Sequence, residues 1–302
     1  MIIKNISIVL IISVSTLTSG TLSYINNIRA NSGCGALKWS KELAYAAKKH
    51  AIYLATNSEF GHTESSYNKN FYASTPWQRI VKAGYNTRAV VENITFYEPN
   101  YRYSIKKIMG TVYHRLALLD TKVDTIGFAN YRKVYVYDMS NSKVENLCKY
   151  SKNSGLVNNI CKNASKTLAK TDFYGALSST KRRSRDIIKY PYSNQKSVGV
   201  KLERETPSFL PTNRSYGFPI TVIFNSAYYN NVKIRKFKLY SNKRELKSKS
   251  VTFRNDLRKK LNKNSFVLIP YKKLQHKKRY TVVLEAIVDG KFKRLNWSFT
   301  TN

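Results

Sequence analysis

The hydrophobic period of the chain changes part-way along, and that change limits what the chain can fold into. In the first part the apolar residues recur at helical spacing. Leu43, Ala46, Ala47, His50 and Leu54 share one face of a helix capped by Ser40, with Glu42 in its first turn. Ile105, Ile108, Met109, Val112, Leu116 and Leu119 form the apolar face of a second helix, expected over Ser104–Leu119. Thr125-Ile126-Gly127-Phe128 and Lys133–Asp138 then alternate as strands. From Pro207 the texture is strand throughout. Pro219–Asn225 reads as one strand, and Val232/Ile234 followed by Phe237/Leu239 alternate with a one-residue slip, as a bulge gives. Tyr280, Val282 and Leu284 alternate again, and Asp289-Gly290 marks a hairpin. Helices with a few strands, then strands alone, predict an α+β domain followed by an all-β sandwich.

Charge follows the same division. The chain carries 53 Lys+Arg against 17 Asp+Glu, a net +36. Residues 206–302 alone hold 22 basic and 4 acidic residues. Such an imbalance implies an anionic partner or strong self-repulsion. Lys233, Arg235, Lys236 and Lys238 fall between the apolar residues of one strand, so they share or flank an exposed surface. A multi-span membrane channel is excluded, because only one apolar stretch approaches spanning length.

That stretch is at the start. Lys4 precedes the apolar run Ile6–Leu17, and small residues follow at Thr18-Ser19-Gly20. Residues 1–20 therefore read as a secretory signal, with an uncleaved anchor as the alternative. Both place the remainder outside the cytoplasm. In such a compartment Cys148 and Cys161, thirteen apart across a polar loop, suggest a loop-closing disulfide. Cys34 is left over, free or paired with either of the others.

Several polar residues stand out against these patterns. His50 points to the core of its helix, where a histidine is usually hydrogen-bonded and structural. Gly61-His62-Thr63-Glu64 is a loop with an imidazole and a carboxylate two residues apart. Glu92 sits among Val90, Val91 and Ile94, either solvated or buried with a partner. His114 lies opposite the apolar face of its helix, among small residues that suit the wall of a groove.

Taken in order, these pieces resemble a family. Asn27-Ile28-Arg29, Leu37-Lys38-Trp39-Ser40, the Ala46–Ala51 stretch, Gly61-His62-Thr63-Glu64, Pro76-Trp77-Gln78-Arg79, Gly84-Tyr85, Glu92-Asn93, Tyr113-His114-Arg115 and Ile126-Gly127 follow the sequence order of the CAP superfamily. That superfamily groups cysteine-rich secretory, antigen 5 and pathogenesis-related proteins, and the likeness is greatest to bacterial extracellular members. It implies an α-β-α sandwich (the CAP fold) with a cleft lined by two histidines and two acids. His62, Glu92 and His114 match the motif positions, and Glu64 is the candidate fourth group. Val91 stands where the family has Gly, and Thr111-Val112-Tyr113 replaces the bacterial Ser-Pro-Gly.

Two imidazoles and carboxylates can hold a divalent metal such as Zn²⁺, with His62 and His114 as ligands, or can relay protons. The expected organisation is thus 1–20 signal, 21–145 CAP domain, 146–205 extension and linker, and 206–302 a sandwich. Leu268-Ile269-Pro270 and Trp297-Ser298-Phe299-Thr300-Thr301 make that sandwich resemble bacterial Ig-like domains. The expected role is a secreted, periplasmic or cell-surface protein whose cleft binds a metal or a small apolar ligand. Its basic tail meets an anionic cell-envelope polymer or a lipid headgroup surface. A metal-dependent hydrolase and a non-catalytic adhesin are the alternatives. Nucleic acid is disfavoured, since no recognition motif is present.

Overall fold

The computed structural model describes residues 4–153, 155–210 and 215–302. The first part runs α1 (Lys4–Ser32), β1 (Lys38–Trp39), α2 (Lys41–Asn57), α3 (Pro76–Lys82), β2 (Val91–Phe96), α4 (Tyr101–Gly110), α5 (Tyr113–Leu118), β3 (Thr125–Tyr131), β4 (Val134–Ser140), α6 (Ser142–Tyr150) and α7 (Lys170–Lys181). Of the expected signal, residues 1–3 lie outside the described residues. From Lys4 the backbone is helical and continues unbroken to Ser32, where Gly33 ends it at φ +103°. Among the described residues no helix is long and apolar enough to cross a membrane.

The strands of this part form one sheet in the order β1-β3-β4-β2. Central β4 is buried along its whole length, because both faces are covered. Val134 and Val136 pack against Ala47, Ala51 and Leu54 of α2. Tyr135, Tyr137 and Met139 face the other way, toward Ile105, Ile108 and Met109 of α4. This is the expected α-β-α sandwich. Gly127 of β3 makes the α2 contact possible. A Cβ there would lie 1.9 Å from the Ala44 nitrogen, so only glycine lets the helix backbone approach this closely. Side-chain caps mark the helix starts: Ser40 accepts from Leu43 N–H, and Thr75 with Gln78 forms a capping box at α3.

One expected helix is two. The periodic run Ser104–Leu119 is interrupted after Gly110, where Thr111 is extended (φ −92°, ψ −179°), and α5 begins afresh at Tyr113. The Thr111 hydroxyl donates to the Ile108 carbonyl at 2.6 Å, closing off α4. The Glu205 carboxylate accepts from the N–H groups of Val112 and Tyr113 at 2.9 Å and of His114 at 3.2 Å. Apolar periodicity survives such a break, which is why spacing alone reads as a single helix.

The second part is β5 (Ile187–Tyr190), β6 (Gln195–Val198), β7 (Ile220–Phe224), β8 (Val232–Ser241), β9 (Arg244–Leu246), β10 (Ser248–Val251), β11 (Ser265–Pro270), β12 (Arg279–Val288) and β13 (Lys291–Thr301). It forms two sheets, β10-β11-β7-β5 and β6-β13-β12-β8-β9. Strands β5 and β6 come from the segment read as extension and linker, so part of that segment is woven into the sandwich. The bulge in β8 is present, with register shifting where Glu285 pairs Lys236 and Ala286 pairs Ile234. Lys233, Lys236 and Lys238 share the outward face, while Arg235 falls in the bulge. Asp289 (φ 47°) and Gly290 (φ 84°) turn the β12–β13 hairpin.

Cys148 and Cys161 are disulfide-bonded, joining the end of α6 to the loop before α7. Cys34 is free and buried, donating to the Leu119 carbonyl. The two parts share one continuous apolar cluster, from Ile25 and Ile105 through Ile188 and Phe218 to Val282 and Trp297. Arg115 crosses the junction. Fully buried, it donates to Met109 O and Pro219 O and lies 4.8 Å from the rings of both Tyr190 and Phe218.

Candidate functional site

The candidate site has two layers, a buried charge network and a cavity above it. The network begins on β2. Register places Glu92 opposite Asp138 of β4, on the face covered by α2. From α2, His50 reaches into the same space. From the loop after α2 come His62 and Glu64, and from α3 comes Arg79. Glu92 Oε1 lies 2.7 Å from His62 Nδ1, and its Oε2 accepts from Arg79 at 2.8 Å. Glu64 Oε1 lies 2.9 Å from His50 Nδ1, and its Oε2 accepts from Tyr72 N–H at 2.7 Å. His50 Nε2 meets the Gly61 carbonyl at 3.1 Å. Arg79 also donates to the His62 carbonyl at 3.0 Å, pinning the loop that carries the exposed imidazole.

This network splits the expected quartet. His62 and Glu92 are joined directly. Glu64 is only 4% exposed and sits behind them, tied to His50 rather than to the cleft. His114 is reached separately: its backbone carbonyl accepts from Asn93, and its Nδ1 lies 3.5 Å from Glu205.

Above the network is a cavity of about 780 Å³ in which His62 and His114 both take part. Its walls are largely apolar, from Phe60, Ile94, Phe96, Tyr97, Ile108 and Pro207, with Lys107 and Arg204 adding positive charge. Residues 204–207 precede β7 and lie beyond the expected CAP segment, so the second part of the chain completes the cavity.

The electrostatics differ sharply across these groups. Burial opposes ionisation of Glu92, but the His62 hydrogen bond and the charges of Arg79 and His50 overcome it, bringing the carboxyl down to about 2. Asp138 is driven the other way. It is fully buried, neither carboxyl oxygen has a hydrogen-bond partner, and burial together with the Glu92 charge holds its proton well above the usual range. His114 is pushed down to about 4 by burial and by the nearby His62 and Lys260. At neutral pH its ring is therefore uncharged.

The arrangement can bind and polarise, and the hydroxyls it offers are those of Thr95, Thr111 and Thr206. No serine or cysteine is among the described residues lining the cavity. Among the described residues no group of three or more His, Cys, Asp or Glu side chains is placed to hold a metal, whereas a catalytic zinc generally uses three protein ligands. The nearby acids are already engaged, Glu92 by His62 and Arg79 and Glu205 by backbone N–H groups. The side chains present therefore do not fit a resident metal.

Sequence reasoning passed over three residues here. Arg79 was visible within the Pro76–Arg79 motif, although nothing in its spacing shows that it faces two buried acids. Asp138 carried a signal, an acid on the α2 side of an otherwise apolar strand. Glu205 carried none, since 91 residues separate it from His114.

Residues 22–139 match the family model described as "CAP: Cysteine-rich secretory protein family". Similar solved structures include an extracellular protein containing an SCP domain from Bacillus anthracis str. Ames, at 21% identity and TM-score 0.37, covering 40% of this chain and 40% of that one. An outer surface protein from Borrelia burgdorferi aligns at 22% identity and TM-score 0.35, covering 40% of this chain and 90% of that one. The alignment thus spans well under half the length of the Bacillus protein. No curated protein matches the chain. The family match covers the sheet, the helices around it and the His62–Glu92 pair, and residues 22–139 are a CAP domain, joined to a C-terminal all-β sandwich.

Proposed function

We propose that this is a secreted or cell-envelope CAP-domain protein whose cleft binds a small ligand with an apolar body and an acidic head. One observation carries the reading: the cavity of about 780 Å³ has apolar walls and presents His62, His114, Lys107 and Arg204 beside one carboxylate, Glu205, which is held by backbone N–H groups. Apolar walls supply most of the binding free energy, and a few polar groups orient the ligand. Arg204 selects an anionic head, since Lys107 is already paired with Glu98 at 2.7 Å. His114, uncharged at neutral pH, serves as a hydrogen-bonding group rather than a charge. Two imidazoles without a third protein ligand make metal binding, and the metal-dependent hydrolysis built on it, the weaker reading.

The second element of the proposal is location. The apolar start of the chain fits export, and the outward lysines of β8 fit retention at an anionic cell-envelope polymer or lipid headgroup surface. The Ig-like likeness of the sandwich belongs to the same proposal.

An apolar sulfonate dye, anilinonaphthalene sulfonate, tests the cleft. Phe60 and Tyr97 are 62% and 71% exposed, so Phe60→Asp and Tyr97→Asp keep the fold while placing negative charge at the mouth. With Arg204→Glu, each substitution is expected to weaken dye binding by about tenfold. Undiminished binding in all three variants removes the cleft from consideration.

A further inference from the structure

A second cavity, of about 500 Å³, lies at the junction of the CAP domain and the sandwich. The end of α5 and the turn after it form one wall. Lys181 at the end of α7 forms another, and the end of β7 with the loop before β11 closes the third. Tyr113 lines this cavity while the next residue, His114, lines the cleft, so the two spaces adjoin different faces of one short helix.

Four lysines line it: Lys122, Lys181, Lys260 and Lys263. A single lining carboxylate, Asp120, answers them, and it is engaged by Lys122, through N–H at 2.8 Å and Nζ at 3.4 Å. Lys181 reaches only a neutral partner, donating to the Ser226 hydroxyl at 3.0 Å. Among the described residues no carboxylate lies within ion-pair distance of the Lys181, Lys260 or Lys263 ammonium groups. Burial and the neighbouring Lys122 lower the pKa of Lys181, outweighing the opposing pull of Asp120. Like charges brought together in a concave space repel unless an anion joins them. Ammonium groups are compact point donors that suit phosphoryl oxygens.

We propose that the junction cavity is a binding site for a multivalent phosphoryl anion. It is separate from the cleft and does not rest on the cleft reading. The anion bridges lysines from both parts of the chain and so also ties the CAP domain to the sandwich. The phosphoryl groups come either from a soluble condensed phosphate or from a phosphodiester polymer, and two probes separate these sources.

Calorimetric titration of the full chain with inorganic tripolyphosphate, and with a poly(glycerol phosphate) chain, tests the proposal. The variant Lys181→Gln/Lys260→Gln/Lys263→Gln is compared with Lys48→Gln/Lys69→Gln/Lys162→Gln, which removes the same charge from exposed positions of the first part, away from both the junction and the outward lysines of β8. One site is expected for the wild type. Each lost charge-assisted hydrogen bond is worth roughly tenfold, so the junction variant should bind at least about 100-fold more weakly. The comparison variant should bind nearly as well as wild type. A junction-specific loss with tripolyphosphate identifies the soluble source, and one seen only with the polymer identifies the phosphodiester source. Equal losses in the two variants, or no binding of either probe, overturn the proposal.

Discussion

Two regions of this molecule are rich in charge and use it in opposite ways. Beneath the CAP cleft, His50, Glu64, Arg79, Glu92 and Asp138 are buried, and all but Asp138 have close partners. On the sandwich, Lys233, Lys236 and Lys238 point outward; Lys238 is in ion-pair contact with Glu245 at 2.6 Å, and Lys236 faces Glu285 across the ladder. A buried charge is expensive unless paired, so the first region tolerates little change and fixes geometry. A solvated charge costs little, so the second is free to vary in detail while its sum acts at a distance. The protein therefore has a network whose geometry is fixed because it is desolvated and a surface that is permissive because it is not.

The largest expected effect comes from Arg79→Met. It strips the guanidinium from two buried acids and should cost about 3–5 kcal/mol in chemical denaturation. A cost near that of a surface mutation would show that the network is not what holds the cleft. Gly127→Ala forces a Cβ into the α2 backbone and should cost about 3 kcal/mol. The same change at Gly290, on the open hairpin at φ 84°, should cost about 1 kcal/mol.

Asp138→Asn is expected to act in the other direction. Native Asp138 holds its proton more tightly than the unfolded chain does. The stability this gives is fully present below about pH 3.9 and is lost as pH rises toward the native pKa. Asparagine removes that loss, so the variant should melt higher than wild type at pH 7 and no higher at pH 3. Glu92 has the reverse slope. Its native pKa of about 2 lies below the unfolded value, so its stabilisation is present above about pH 4.3 and disappears as pH falls through 2. Glu92→Gln should therefore lose stability at pH 7 and flatten the acid limb of a melting-temperature profile. The smallest effect belongs to Lys233→Gln/Lys236→Gln. It should shift the melting temperature by less than about 2 °C, yet weaken binding to anionic vesicles at low salt. A large thermal change there would mean that the outward face is not simply solvated.

Much of this was legible in the residues. The Ser40 and Thr75 caps, the alternating β4, the β8 bulge and the Asp289-Gly290 turn are local features, set by neighbours a few positions away. The ordered motifs from Asn27 to Gly127 marked the CAP domain for the same reason. His62 and Glu92 were placed by those motifs, and their pairing follows once the loop after α2 closes over β2. Glu64 turns inward to His50, an orientation that two residues of spacing in a loop does not specify. The helix break at Thr111 went unseen because the residue that restarts α5 is Glu205, far along the chain.

By itself the sequence determined the two kinds of architecture, the segment that forms the CAP domain, the Cys148–Cys161 pairing it favoured and the bias of charge toward the end. Each rests on periodicity, short-range geometry or simple counting. Tertiary structure alone decided which acids are desolvated, that Asp138 shares a buried space with Glu92, and that residues 204–207 close the cleft. It alone brought lysines from α7, the turn after α5 and the loop before β11 to one cavity. Burial and charge coupling depend on distances through space, and those distances are set only when separate elements pack together.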